Sequence, residues 1–152
     1  MNAKEKFLKE ELTSLLSKLP PEQKGSWGKM NAQQMVEHMS NAFRWANGKS
    51  KQSPALTPEQ TQKNYEFMMT EKPFRENTPN RLLPDEPFHF KNETMQEAIT
   101  ELQKEIDDFF SVYSANSEMK IMNPFFGNLN YKEQVQLLHK HATHHAKQFG
   151  LV

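Results

Sequence analysis

The chain has no cysteine among its 152 residues. This excludes a disulfide framework, a thiolate nucleophile and any zinc site built on cysteine. A transition metal would have to be held by histidine, carboxylate and water. Glycine is scarce, at five residues, and nowhere gathers into a phosphate-cradling loop. Long apolar runs are missing as well. Met1 to Leu19 carries charges throughout, so it reads neither as a signal peptide nor as a membrane span, and a cytoplasmic location is expected. There is no excess of either charge, with 19 Lys and Arg against 19 Asp and Glu. That balance argues against nucleic acid and anionic membrane as partners. Alternating strand patterns are almost absent, and no Ser/His/Asp arrangement stands in a supporting context.

What the chain does have is helical periodicity. Only 36% of it is hydrophobic, but those residues are concentrated in periodic stretches. The length suggests one domain, 1–152, with a single sizeable core. Residues 3–18 read as an amphipathic helix with Leu8, Leu12, Leu15, Leu16 and Leu19 on one face, ended by Pro20-Pro21. A loop carrying Gly25, Trp27 and Gly28 follows, with the indole expected to fold back on the core. Asn31 with Gln34 opens a second helix that stops near Asn47-Gly48. Thr57-Pro58-Glu59 starts a shorter one running to about Met69. Thr94 with Glu97 opens a third long helix, striped by Ile99, Leu102, Ile106, Phe109 and Tyr113. Ser114 to Lys120 is a polar turn. Asn130 with Glu133 opens the last helix, and Gly150 ends it. The economical fold is an all-α four-helix bundle with one extra short helix.

Between the short helix and the third long one lies a stretch rich in proline and phenylalanine. Pro73, Pro79, Pro84 and Pro87 are interleaved with Phe74, Leu82, Leu83, Phe88 and Phe90. So many apolar anchors suggest an ordered crossover along the outside of the bundle. His89, between two phenylalanines, reads as a surface or packing residue.

Four of the six histidines fall in the last helix: His139, His141, His144 and His145. At 100° per residue, His141 and His145 stack one turn apart on the inward face, with His139 and His144 at its borders and Lys140, Thr143 and Lys147 on the other side or its flank. Two inward imidazoles one turn apart form half of a metal site, but they can equally be satisfied core groups. On the second helix, His38 stands three after Met35 and four before Ala42, beside the buried face. A bundle that brings these helices together offers three neutral imidazoles and leaves positions open for water. Gln148 lies close to the His141 direction and can hold a water or an imidazole N–H from behind. Glu37 and Asn41 are weaker candidates, because their faces point more toward solvent.

These segments resemble the DinB/YfiT-like superfamily of metal-dependent enzymes, particularly its small bacterial members. The resemblance rests on Met35-Val-Glu-His38, on Asn123-Pro-Phe-Phe-Gly127, and on His141-Ala-Thr-His144-His145-Ala-Lys-Gln148 followed by Phe149-Gly-Leu151. It covers most of the chain and is weakest between Lys49 and Glu93. It implies a four-helix bundle with a long crossover. It also implies a divalent metal, nickel or zinc with manganese and iron as alternatives, held by His38, His141 and His145. His144 is then a neighbour rather than a ligand. Two positions depart from the pattern: Ala146-Lys147 where the family often has Arg-Gly, and Asn123 where some relatives have histidine.

Three functions compete. The first is a metal-dependent hydrolase or a thiol or small-molecule transferase. Its substrate would be a small molecule, and any thiol would come from a low-molecular-weight cosubstrate because the chain has none. Some relatives are dimers, so a homodimer is compatible with this reading. The second is a non-catalytic binding or stress-response module with a structural metal or none. The third is a helical interaction protein whose histidines only pack. Because protons compete with metal for imidazole, a three-histidine site is expected to lose metal near the ordinary histidine pKa of about 6.5.

Overall fold

A computed structural model describes residues 1–76 and 91–152. The chain is predominantly helical. The N-terminal helix is α1 (Ala3–Lys6), a π-helical turn (Phe7–Glu11) and α2 (Leu12–Leu16) run together. The single stretch expected over 3–18 is therefore underwound locally, which still leaves Leu8, Leu12 and Leu16 buried. Then come α3 (Ala32–Ala46), α4 (Pro58–Met68), α5 (Met95–Ala115) and α6 (Tyr131–Gln148).

The helix starts follow local chemistry. Asn31, Thr57 and Asn130 each accept a hydrogen bond from the backbone N–H three residues on, and Gln34, Gln60 and Glu133 reach back to the cap backbone. Reciprocal capping of this kind satisfies two otherwise orphaned donors. At α5, Thr94 caps Glu97, but the Glu97 carboxylate turns to the Glu93 N–H instead. The helix also runs on through Ser114 and Ala115, residues expected to belong to the turn.

The core lies where α3, α5, α6 and the N-terminal helix meet. Met35, Val36, Met39 and Phe43 of α3 pack with Leu102, Ile106 and Phe109 of α5 and with Val135, Leu138 and Ala142 of α6. Burying such side chains is the main source of stability. The α3–α5 seam is also charged: Glu105 is buried and is met by Arg44, Lys49 and the Asn47 amide. A smaller cluster of Met68, Leu129 and Leu137, joined by Tyr65, Phe74 and Phe126, holds α4 to the start of α6.

One element departs from the all-helical reading. β1 (Ile121–Asn123) and β2 (Gly127–Leu129) form an antiparallel hairpin in register Ile121–Leu129 and Asn123–Gly127. Three-residue strands are too short to display an alternating pattern. Of the proline and phenylalanine crossover, Pro73 and Phe74 are described, and Phe74 packs against Phe67, Phe126 and His144. The expectations for Pro79, Leu82, Leu83, Pro84, Pro87, Phe88, His89 and Phe90 lie outside the described residues. No helix among the described residues is long and apolar enough to cross a membrane.

Candidate metal centre

The packing of α3 against α6 brings three histidines to one point. His38 Nε2 lies 3.0 Å from His141 Nε2, and His145 Nε2 lies 2.9 Å from the same atom. The rings stand edge to face, with centroids 4.6 to 5.0 Å apart. Their ring nitrogens form a cluster able to hold a metal ion. His145 is buried, while His38 and His141 each keep a partly exposed edge.

Burial pushes all three imidazoles toward the neutral form. His38 is lowered to about 4, by desolvation first and by the charge of His144 second. His141 and His145 are held well below the usual range, again by desolvation first and then by the neighbouring histidines. Neutral imidazoles are the metal-ligating form.

The donor chemistry fits a cation better than a proton. Gln148 Nε2 donates to the Trp27 carbonyl at 2.8 Å, which leaves Gln148 Oε1 to face His145 Nδ1 at 2.7 Å. An amide oxygen only accepts, so His145 Nδ1 carries the hydrogen and His145 Nε2 presents a lone pair. His141 Nε2 then sits between two nitrogens. If it carries a proton, it serves His145 and has nothing to accept from His38. If it does not, its lone pair meets that of His145. One hydrogen on this atom leaves at least one short contact unserved, whereas an ion serves all three lone pairs. Spacings of 2.9 and 3.0 Å correspond to angles of ~90° at an ion held at ~2.0–2.1 Å, closer to an octahedral than to a tetrahedral arrangement.

Other residues singled out in the sequence take varied places. Gln148 is buried and places its amide oxygen 2.7 Å from His145 Nδ1, so the imidazole it faces is that of His145. His144 packs its ring against His145 and against Trp27 and Phe74, and it lines a cavity of about 110 Å³ with Trp27, Phe74 and Lys147. His139 is set off from the triad, edge-on to Phe7. Asn41 is exposed and accepts from Arg44. Asn123 accepts from the Phe125 and Phe126 amides and so shapes the hairpin turn.

Two expectations are corrected. Glu37 does not point to solvent: it is buried and accepts from the backbone amides of Lys91 and Asn92 at 2.8 and 3.0 Å. The helical angle misled because the chain leading into α5 folds over that face. Lys140 is buried too, its ammonium donating to the carbonyls of Phe67, Thr70 and Lys72 at the end of α4. Neither role has a sequence signal, since both depend on where a segment distant in sequence lands. The loop Gly25-Ser-Trp-Gly28 was also missed as part of the site, although two glycines flanking a tryptophan mark a close backbone approach.

No family model, no curated protein and no solved structure matches this chain.

Proposed function

We propose that His38, His141 and His145 bind one divalent transition metal and that the protein is a metal-dependent enzyme of the DinB/YfiT-like type. The reading is a hydrolase or a thiol or small-molecule transferase. The observation that carries it is the convergence of three neutral imidazoles with too few hydrogens for their short contacts. When bound, an ion so held supplies Lewis-acid activation of a water or a thiol. Three protein ligands leave coordination positions open, as catalytic sites require. Nickel or zinc suits all-imidazole ligation, and manganese or iron is the alternative.

The protein's own residues then have distinct tasks. Gln148 holds His145 from behind. His144 buttresses the His145 ring and, with Trp27 and Phe74, lines a cavity that none of the three candidate ligands lines. The absence of cysteine means that a thiol arrives as a cosubstrate.

Cobalt substitution tests the ligand set. Cobalt(II) added to chelator-treated protein is expected to give visible ligand-field bands that are lost in His38→Ala and in His145→Ala while helical circular dichroism is kept. Unchanged bands in both variants would place the ion elsewhere.

A further inference from the structure

The loop before α3 makes its hydrogen bonds to the triad's support at Gln148, while the Trp27 ring packs on His144. The Ser26 N–H donates to the Gln148 main-chain carbonyl at 2.7 Å, closing the end of α6. The Trp27 carbonyl accepts from Gln148 Nε2 at 2.8 Å. The backbone comes this close because glycine stands on both sides. A Cβ on Gly25 would lie 2.8 Å from Gln148 Cγ and 3.0 Å from the Trp27 oxygen. A Cβ on Gly28, whose φ is +77°, would lie 2.9 Å from Gln148 Nε2. The base of the loop is closed by Ala32 N–H donating to the Gln23 carbonyl at 2.8 Å and by a bridge between Lys24 and Asn31. Asn31 caps α3, so the loop joins the helix of His38 to the end of the helix of His145.

We infer that the Gly25–Gly28 loop is the positioning element of the centre, with the Trp27 carbonyl selecting, through Gln148, which nitrogen of His145 is offered to a ligand. The logic runs one atom at a time. A carbonyl oxygen only accepts, so it turns the NH₂ of the Gln148 amide toward itself. The amide oxygen is thereby aimed at His145 Nδ1, 2.7 Å away. That oxygen requires a hydrogen on Nδ1. A neutral imidazole has only one, so Nε2, the atom facing His141, is left with its lone pair. Without the loop the amide is free to flip, and either tautomer becomes accessible. In purpose this rests on the metal reading above. The tautomer itself is a property of the metal-free protein.

The test is nitrogen NMR of the imidazoles in the full, metal-free chain at neutral pH, paired with zinc titration by calorimetry. The wild type is expected to show His145 with its hydrogen on Nδ1. Gln148→Met, close in volume, is expected to lose that preference, and Gly25→Ala to do the same with Gln148 intact. Gln148→Glu keeps an acceptor toward Nδ1 and is expected to retain the tautomer while losing the Trp27 contact. Zinc affinity should fall roughly 10–100-fold in Gln148→Met and Gly25→Ala. A wild-type His145 carrying its hydrogen on Nε2, or a Gln148→Met variant with unchanged tautomer, overturns the inference. If the wild type shows the Nδ1–H form but takes up no zinc, the metal reading fails and the positioning relationship stands.

Discussion

Lys140, one residue before His141 in sequence, holds its ammonium 2.7 Å from the carbonyl oxygen of Thr70. It also donates to the carbonyls of Phe67 and Lys72, at 3.1 and 2.6 Å, so its three hydrogens are matched to three carbonyls at the end of α4. Cations are favoured at a helix C-terminus, and these bonds are charge-assisted. Lys140→Met is expected to cost about 2–3 kcal/mol, because the carbonyls lose a buried charged donor. Urea unfolding measures it. A loss below about 0.5 kcal/mol, the size typical of a surface change, would show that the contact contributes little.

Glu37 is the counterpart on α3, one residue before His38. It accepts from the amides of Lys91 and Asn92, from the Asn92 side chain and from Gln33. Glu37→Gln turns an amide NH₂ toward backbone donors and is expected to cost about 1–3 kcal/mol. Hydrogen exchange at the Lys91 and Asn92 amides should speed up while exchange in α5 is unchanged. Wild-type protection at both amides would contradict the assignment.

Buried neutral histidines set the acid stability of the metal-free protein. The unfolded chain takes up protons as pH falls through about 6.5. Folded His38 resists until about 4, through desolvation first and His144 second. Between those values the unfolded state binds more protons, so stability is full above about 6.5 and is lost as pH falls toward the folded value. His38 alone accounts for about 3 kcal/mol across that window. The melting temperature should therefore drop between pH 7 and pH 5, and less steeply in His38→Gln. Equal slopes would remove His38 from the account.

The same shift moves the proton competition for metal. The sequence places metal loss near the ordinary histidine range of about 6.5. Burial lowers all three imidazoles, so metal affinity is expected to stay nearly level from pH 7.5 to about 5.5 and to fall steeply below that. Zinc competition against a pH-insensitive chelator checks this. A tenfold loss per pH unit already at pH 7 would contradict the desolvated geometry.

Much of this was legible in the sequence because the signals are local. Asn31, Thr57 and Asn130 announce their helices through residues three positions away. The spacing of His141 and His145 is a property of one helix. Joining His38 to them needed the further premise of a bundle. The hidden parts are non-local. Nothing near Glu37 or Lys140 reveals that a segment distant in sequence will cover it, and a helical wheel assigns such charged residues to solvent. Gln148 was recognisable as support, but its partner was not. Its direction is set by the Trp27 carbonyl, 121 positions away. The hairpin at Ile121–Leu129 was hidden by its brevity.

The central claim is that three histidines hold one ion, and elemental analysis of untagged wild-type protein beside His141→Ala tests it most directly. The account predicts about one equivalent of a transition metal in the wild type and almost none in the variant, with the helical fold retained in both. Wild-type protein still without metal after nickel, zinc and manganese have been supplied, or a His141→Ala variant that keeps its equivalent, would contradict it.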